Sequence, residues 1–340
     1  MLNQHLSPAS TAITGTYTLA LRLVIGWTYF SAFWRRLILA NKLDPDSSGY
    51  IGEKFNHFLP NALGIKPIIE YLVSNPTPLW WAMLAFTLIE AIVGLLLMLG
   101  FMTRLMSIGV TMLALGILSG SGWLGTTCLD EWQIGVLGVA SGFTLFFSGG
   151  GEFSLDQYTR RFTWSKPRWI QWFSSGELAW PYPILKKTVL GGAFIIFFIT
   201  LFTNQYFHGG VWGALHNKSI KPKLELSDAF MKDDTLSFEL YRVEGADVYG
   251  SFLIGITLLN PEGDTVLTLD SKALANFPIE NIQNRYVAKI KPGKHSLVVP
   301  LGAKATMSIT HSRLNNLPPG IYRLILTDIS GIIWDKEISS

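Results

Sequence analysis

The sequence predicts a membrane α-helical bundle, a four-helix core plus one anchoring helix, followed by a C-terminal all-β domain of immunoglobulin-like sandwich type. Three observations carry this prediction. Residues 1–210 hold every long apolar run, whereas residues 217–340 have the dispersed charges of a water-soluble domain. The 340-residue chain is 49% hydrophobic and 15% charged with 12 tryptophans, which is ordinary for a membrane protein and unusual for a soluble one. Beyond residue 217 the pattern becomes short apolar stretches separated by turn residues.

A helix needs roughly 20 apolar residues to cross the hydrocarbon core of a bilayer. Five stretches qualify: about 17–36, 79–100, 103–123, 131–149 and 187–206. The first contains the run Thr18–Trp34, too long for a signal-peptide core, and it ends on Arg35-Arg36 instead of a small-residue cleavage site. The second is the clearest. The fourth carries Gly135, Gly138 and Gly142, a spacing that lets a neighbouring helix approach closely. Arg160, Arg161, Lys166, Arg168, Lys186 and Lys187 crowd the segment before the fifth span, which the positive-inside rule makes cytoplasmic. The tryptophans of that segment (Trp164, Trp169, Trp172, Trp180) suit an amphipathic stretch at the interface. This orientation makes the N-terminus cytoplasmic and the β domain periplasmic, in the cell membrane. The 37–77 connection, with a short helix near Gly49–Leu59, and the turn 123–130 then lie outside.

In the β domain, strands are expected at 223–226, 236–241, 250–259, 265–269, 285–290, 296–299, 306–309, 321–327 and 332–338. Turn signals such as Pro261-Glu-Gly-Asp264, Pro292-Gly293 and Pro318-Pro-Gly320 separate them. Many short strands at this spacing argue for a sandwich.

Composition excludes several functions. A net charge of +3 with no basic helix or RNP-like strand gives no reason to expect nucleic acid as a partner. The single cysteine, Cys128, rules out an intramolecular disulfide, a CxxC pair and a thiolate metal cluster. His208, His216, His295 and His311 show no metal spacing. No metal, flavin or haem is expected.

The candidate site residues are those that break the rules of a lipid-embedded helix. Arg35 and Arg36 close the first span at its outer end, where basic residues are disfavoured. Two guanidiniums at a dehydrated surface either snorkel to headgroups or hold an oxyanion by paired hydrogen bonds. Cys128 precedes the fourth span, and Thr127 with Asp130 three residues on reads as a capping box that places the thiol in the first helical turn. Arg22 and Glu90 lie within spans, where unpaired charges are costly, and an ion pair between the first two helices is expected of them. Lys54 and His57 in the 37–77 connection are secondary candidates for an anion site.

With these residues in view, the chain resembles a known family. The first helix GWTYFSAFWRRL, the single cysteine in TTCLDEWQIG and the appended β domain are similar to thiosulfate:quinone oxidoreductases built from a membrane subunit, DoxD, and a smaller subunit, DoxA. Residues 1–185 resemble the first; residues 186–340, an anchoring helix and the sandwich 217–340, resemble the second. The four-helix core is also similar to the wider DoxX and MauE membrane families. The resemblance implies oxidation of two thiosulfates to tetrathionate, with a membrane quinone as electron acceptor. Under it Cys128 is the nucleophile, Arg35 and Arg36 bind the anion with Lys54, His57 and Gln133, and Glu131 manages quinone protons. The aromatic residues Trp27, Tyr29, Trp34 and Trp132, with Arg22 and Glu90, then border the quinone. Partners are thiosulfate, quinone and the lipid bilayer; a homo-oligomer is compatible with the sequence.

Other classes stay open on sequence alone. One is a non-enzymatic anion-binding or assembly protein whose sandwich docks a partner. A sulfur-oxyanion transporter is disfavoured by five spans with no evident inverted repeat. A MauE-like disulfide relay is disfavoured by the solitary cysteine.

Overall fold

The computed structural model describes residues 8–47, 49–121, 131–176, 178, 180–207, 209, 211–214, 221–245 and 251–339. Within them the chain forms two compact units. The helical unit comprises the chain up to Tyr50, Trp81–Ser119 and the helices that follow up to the β domain. The β unit comprises Ile51–Trp80 together with the sandwich.

In the helical unit, α1 (Pro8–Tyr17) leads through a turn at Thr18 into α2 (Leu19–Phe33), which passes directly into a π-helical turn, Trp34–Ile38. In the β unit α3 (Ile51–Phe58) is followed by α4 (Lys66–Ser74), the first near its expected place and the second not foreseen. The long helices α5 (Pro76–Leu99) and α6 (Thr103–Ser121) come next, then α7 (Glu131–Ser148), the short α8 (Leu155–Thr159) and α9 (Arg168–Phe173), and α10 (Tyr182–Phe207). Helices α5, α6 and α10 are each long and apolar enough to cross a membrane. The first and fourth expected spans correspond to α2, with 15 residues before the π turn, and to α7, with 18 residues.

Small residues set the helix packing. Gly26 of α2 and Gly94 of α5 face each other so closely that a Cβ on Gly94 would stand 2.5 Å from the Gly26 carbonyl oxygen. On α7, the glycines expected to admit a neighbour do so against α6: Gly138 sits on Ala114, and Gly142 on Thr111 and the Ser107 carbonyl. Val93, Leu97, Val110, Leu113 and Leu145 fill the space between these helices.

The C-terminal sandwich stands as two antiparallel sheets. One has the order β1 (Lys223–Lys232), β2 (Thr235–Glu244), β8, β5; the other runs β10, β9, β3, β7, β6, with β4 on β3. Here β3 is Ser251–Leu259, β4 Thr265–Leu269, β5 Ile282–Asn284, β6 Lys291–Pro292, β7 Leu297–Val299, β8 Lys304–Thr310, β9 Ile321–Asp328 and β10 Ile333–Ser339. A short helix, α11 (Ser271–Ala275), follows β4. Alternate residues of β2 (Leu236, Phe238, Leu240) meet Ile256, Leu258, Leu324 and Leu326 of the other sheet in one core, as the period of two dictates. On the outer face Glu239 accepts from Lys304 (2.8 Å), Arg285 (3.3 Å) and Ser227 (2.9 Å). Burial pushes its carboxyl up, but these hydrogen bonds and the two cations outweigh burial and hold it below the usual range.

One expected strand is absent. Residues 285–290 leave the ladder because their backbone bonds elsewhere: Val287 N donates to the Val73 carbonyl (3.2 Å) and Ala288 N to Asn56 Oδ1 (3.2 Å). Asn56 also donates to the Gly302 carbonyl at 2.5 Å. The Gly302 backbone is left-handed (φ +74°) and a Cβ there would collide with the Asn56 carbonyl oxygen, so both conformation and contact demand glycine. Tyr286 donates to Glu70 at 2.8 Å, and burial first, then the Glu70 hydrogen bond and charge, raises the phenol's pKa. Leu59, Ile69, Val73 and Tyr286 close a second small core. Helices α3 and α4, read from sequence as part of an inter-span connection, thus fold onto the sandwich.

Replacing Asn56 by Leu strands a buried N–H and a carbonyl at about 1–3 kcal/mol each. Hydrogen exchange over residues 285–290 and 300–303 is expected to accelerate in Asn56→Leu; unchanged protection would show that Asn56 does not hold this docking. Acidification is expected to weaken the sandwich. A carboxyl with a depressed folded pKa contributes stability above its unfolded pKa and loses it as pH falls through the folded value. A Glu239→Gln variant should flatten that acid limb of the thermal-midpoint profile.

Candidate functional site

The arginine pair owes its geometry to the π turn. Where α2 ends, the Leu39 amide bonds back five residues to the Trp34 carbonyl (2.9 Å), admitting one more residue than an α-turn holds. Successive residues of this widened turn diverge. Arg36 forms an ion pair with Glu90 of α5 and lies 5.9 Å from the Phe86 ring centroid, one turn before Glu90. Arg35 is exposed and is tied only through Nε to the Ser31 carbonyl (3.3 Å), leaving its terminal nitrogens uncommitted among the described residues.

The Glu90 side chain is 3% exposed, so the Arg36 guanidinium is its electrostatic answer. Thr87 lies one turn before Glu90 on the same face, is fully buried, and its hydroxyl has no hydrogen-bond partner. That is exceptional in this bundle. Thr28, Thr111, Thr144 and Thr200 all donate to the carbonyl four residues back, the usual outlet for a threonine in an apolar helix. Tyr29 of α2 is buried in the electrostatic field of Glu90, with its hydroxyl against Gly138 of α7. Tyr29, Arg36, Thr87 and Glu90 therefore form a polar cluster among α2, α5 and α7, with an orphan hydroxyl inside it.

The expected pairing of Arg22 with Glu90 is corrected by the structure. Helices α2 and α5 are antiparallel, with Gly26 level with Gly94, so Arg22 lies near Gly100 and Glu90 lies toward the π turn. Arg22 is buried and donates to the Gly150 carbonyl and to the Phe153 carbonyl (2.6 Å). Beside it, buried Asp156 accepts from the Met102 amide (2.7 Å), the Thr103 amide (3.0 Å) and hydroxyl (2.6 Å), and Ser175 (2.7 Å). It thereby caps the first turn of α6. Arg104 donates to the carbonyls of Phe146 (3.1 Å) and Trp172 (3.4 Å). Asp156 went unnoticed in the sequence, although Ser154-Leu-Asp-Gln157 has capping-box spacing and Ser154 does cap α8.

The remaining candidates are scattered. Trp27 and Trp34 are exposed and flank Phe30 at 6.0 and 6.2 Å between ring centroids. Lys54 is exposed on α3, and His57, the other secondary candidate of the 37–77 connection, is buried on the same helix. Gln133 is exposed in the first turn of α7. Cys128, with the Thr127–Asp130 capping box, lies outside the described residues, as do the side chains of Glu131 and Trp132.

Two families match the chain in tandem. The family described as TQO small subunit DoxD matches residues 17–180. The family described as TQO small subunit DoxA matches residues 207–337. The chain is a DoxD–DoxA fusion. Its fold is the helical and all-β pair that the resemblance implied, and membership of the two families makes it a membrane oxidoreductase. The DoxD match holds α2 with the π turn, Glu90 and Cys128; α10 lies between the two matches.

Double-mutant cycles test the revised pairing. Arg36→Met should destabilise by about 3–5 kcal/mol because it strands Glu90, and Arg36→Met with Glu90→Met should recover most of that loss. Arg22→Met combined with Glu90→Met should be additive. Coupling between Arg22 and Glu90 in detergent thermal unfolding would restore the pairing read from sequence.

Proposed function

We propose that this DoxD–DoxA fusion oxidises thiosulfate to tetrathionate and passes the two electrons to a membrane quinone. The observation that carries the reading is the tandem match to both TQO small-subunit families over residues 17–180 and 207–337. The arginine-bearing π turn supports it: Arg36 is committed to Glu90, while Arg35 presents an exposed guanidinium suited to a small dianion.

In this scheme the Cys128 thiolate bonds to the sulfane sulfur of one thiosulfate as two electrons leave for quinone, which takes up two protons and becomes quinol. The product is a cysteine S-thiosulfonate. A second thiosulfate attacks the bound sulfane sulfur, forming tetrathionate and releasing the Cys128 thiolate. Overall, two thiosulfates, one quinone and two protons give one tetrathionate and one quinol. Arg35 offsets repulsion between the two anions, Arg36 is held in place by Glu90, and Glu131 supplies quinone protons. The basic residues between α8 and α10 support a cytoplasmic position for that segment and a periplasmic β domain.

Purified wild-type protein should reduce a short-chain quinone when thiosulfate is added, with tetrathionate as product, and Cys128→Ala should abolish turnover at unchanged thermal midpoint. Arg35→Ala should raise the thiosulfate KM about tenfold, the loss of one charge-assisted hydrogen bond. Absence of thiosulfate-dependent reduction across ubiquinone and menaquinone analogues would overturn the proposal, and persistent turnover in Cys128→Ala would remove the covalent step.

A further inference from the structure

Helices α7 and α10 run antiparallel and leave a groove between them of about 550 Å³. Its register is legible from its walls. Gln133 and Asn204 stand at one end, where α7 begins and α10 finishes, and Phe143 packs on Gly192 at the other. From Ala193 to Asn204 the groove extends roughly 16 Å along α10.

Between its ends the lining is apolar. Leu137, Ala140, Ile196 and Phe197 present hydrocarbon. The two threonines add little polarity, because Thr144 donates to the Ala140 carbonyl (2.9 Å) and Thr200 to the Ile196 carbonyl (2.8 Å). The polar character is concentrated in the amides of Gln133 and Asn204, which make no hydrogen bond among the described residues. The neighbouring Gln205 makes the contrast: its amide is taken up by the backbone of Val211 and Trp212 at 3.0–3.2 Å. An amide left open at the end of an apolar slot is costly in lipid unless something accepts its hydrogen bonds.

We infer that the α7–α10 groove is a quinone-binding site, with Gln133 and Asn204 donating to the ring carbonyls and the isoprenoid tail lying between α7 and α10 toward Phe143. The inference rests on the oxidoreductase reading above and locates its electron acceptor. A quinone matches both parts of the groove, since its head carries two acceptors and no donor while its tail is hydrocarbon. A phospholipid offers ester carbonyls to the amides as well as a tail to the wall, so competition between quinone and phospholipid is what separates the two occupants. The site is distinct from the cluster of aromatic residues around Trp27 and Trp34.

Photolabelling of the full-length protein in nanodiscs with a short-tailed azidoquinone, mapped by peptide mass spectrometry, tests this directly. The label should fall within residues 133–144 and 193–204 and be displaced by excess decylubiquinone. Gln133→Leu and Asn204→Leu should each weaken labelling and raise the quinone KM about tenfold, and Asn204→Leu should do so with the thiosulfate KM unchanged. Label elsewhere, for instance around Trp27 and Trp34, would overturn the site, as would groove label displaced by phospholipid but not by quinone. Labelling needs no thiosulfate, so the two readings fail separately. Groove label without thiosulfate turnover would keep the site and remove the enzyme reading, whereas turnover without groove label would do the reverse.

Discussion

A charge withdrawn from water has to be answered inside the protein, and the helical unit is organised around its answers. Glu90 is met by Arg36, Arg22 by the carbonyls of Gly150 and Phe153, and Asp156 by the first amides of α6 with the hydroxyls of Thr103 and Ser175. In a medium without water each of these groups would cost several kcal/mol unpaired. The helices are therefore locked in register by polar contacts as well as by the apolar packing of Val93, Leu97, Val110 and Leu145. The answers differ in kind. Around Asp156 the carboxylate is answered by protein groups, although Arg22 Nε and Arg104 Nη2 nearby are buried without a partner. Around Glu90 the Thr87 hydroxyl stays unanswered and Arg35 remains exposed, so that end of the bundle keeps capacity for something else.

The bundle thus has one end where buried charges meet mostly backbone groups and another, more open end where the Arg35 side chain remains exposed. At the first end the partners are mostly backbone groups, the carbonyls of Gly150 and Phe153 and the amides of Met102 and Thr103. At the open end the π turn separates two consecutive arginines, one bound inward and one left outward. A π turn is a costly irregularity that persists where a side chain must be re-aimed. In an ordinary α-turn, residues 35 and 36 would be about 100° apart with the ladder unbroken. The groove between α7 and α10 adds a second opening, apolar along its length and polar at one end.

Much of the architecture was legible in the residues. The apolar runs of α5, α6 and α10, the glycine face of α7 and the alternation of β2, β8 and β9 each reflect local periodicity, which a sequence displays directly. The arginine pair stood out because cations are rare in such runs. Legibility ended where partners come from distant parts of the chain. Arg22 and Glu90 were expected to meet because both are buried charges; the antiparallel offset fixed by Gly26 and Gly94 puts Arg36 beside Glu90 instead. Residues 285–290 have a strand-like pattern, yet Asn56 and Val73 take their amides out of the ladder. His57, expected in the 37–77 connection as a candidate for an anion site, is buried on α3.

A membrane-embedded helical region followed by a β-sandwich, the likeness to DoxD and DoxA, and the short roster of residues with chemistry in apolar surroundings are all present in the amino-acid order. These follow from composition and from periods of two and 3.6, properties that neighbouring residues carry among themselves. Packing of distant segments is what pairs Glu90 with Arg36, has Asp156 cap α6, folds α3 and α4 onto the sandwich and sets Gln133 and Asn204 in the wall of one groove. The physical reason is common to all four. Which buried group answers which depends on helix offset, on a π turn and on backbone amides leaving a ladder, and these quantities exist only once segments far apart in the chain are packed together.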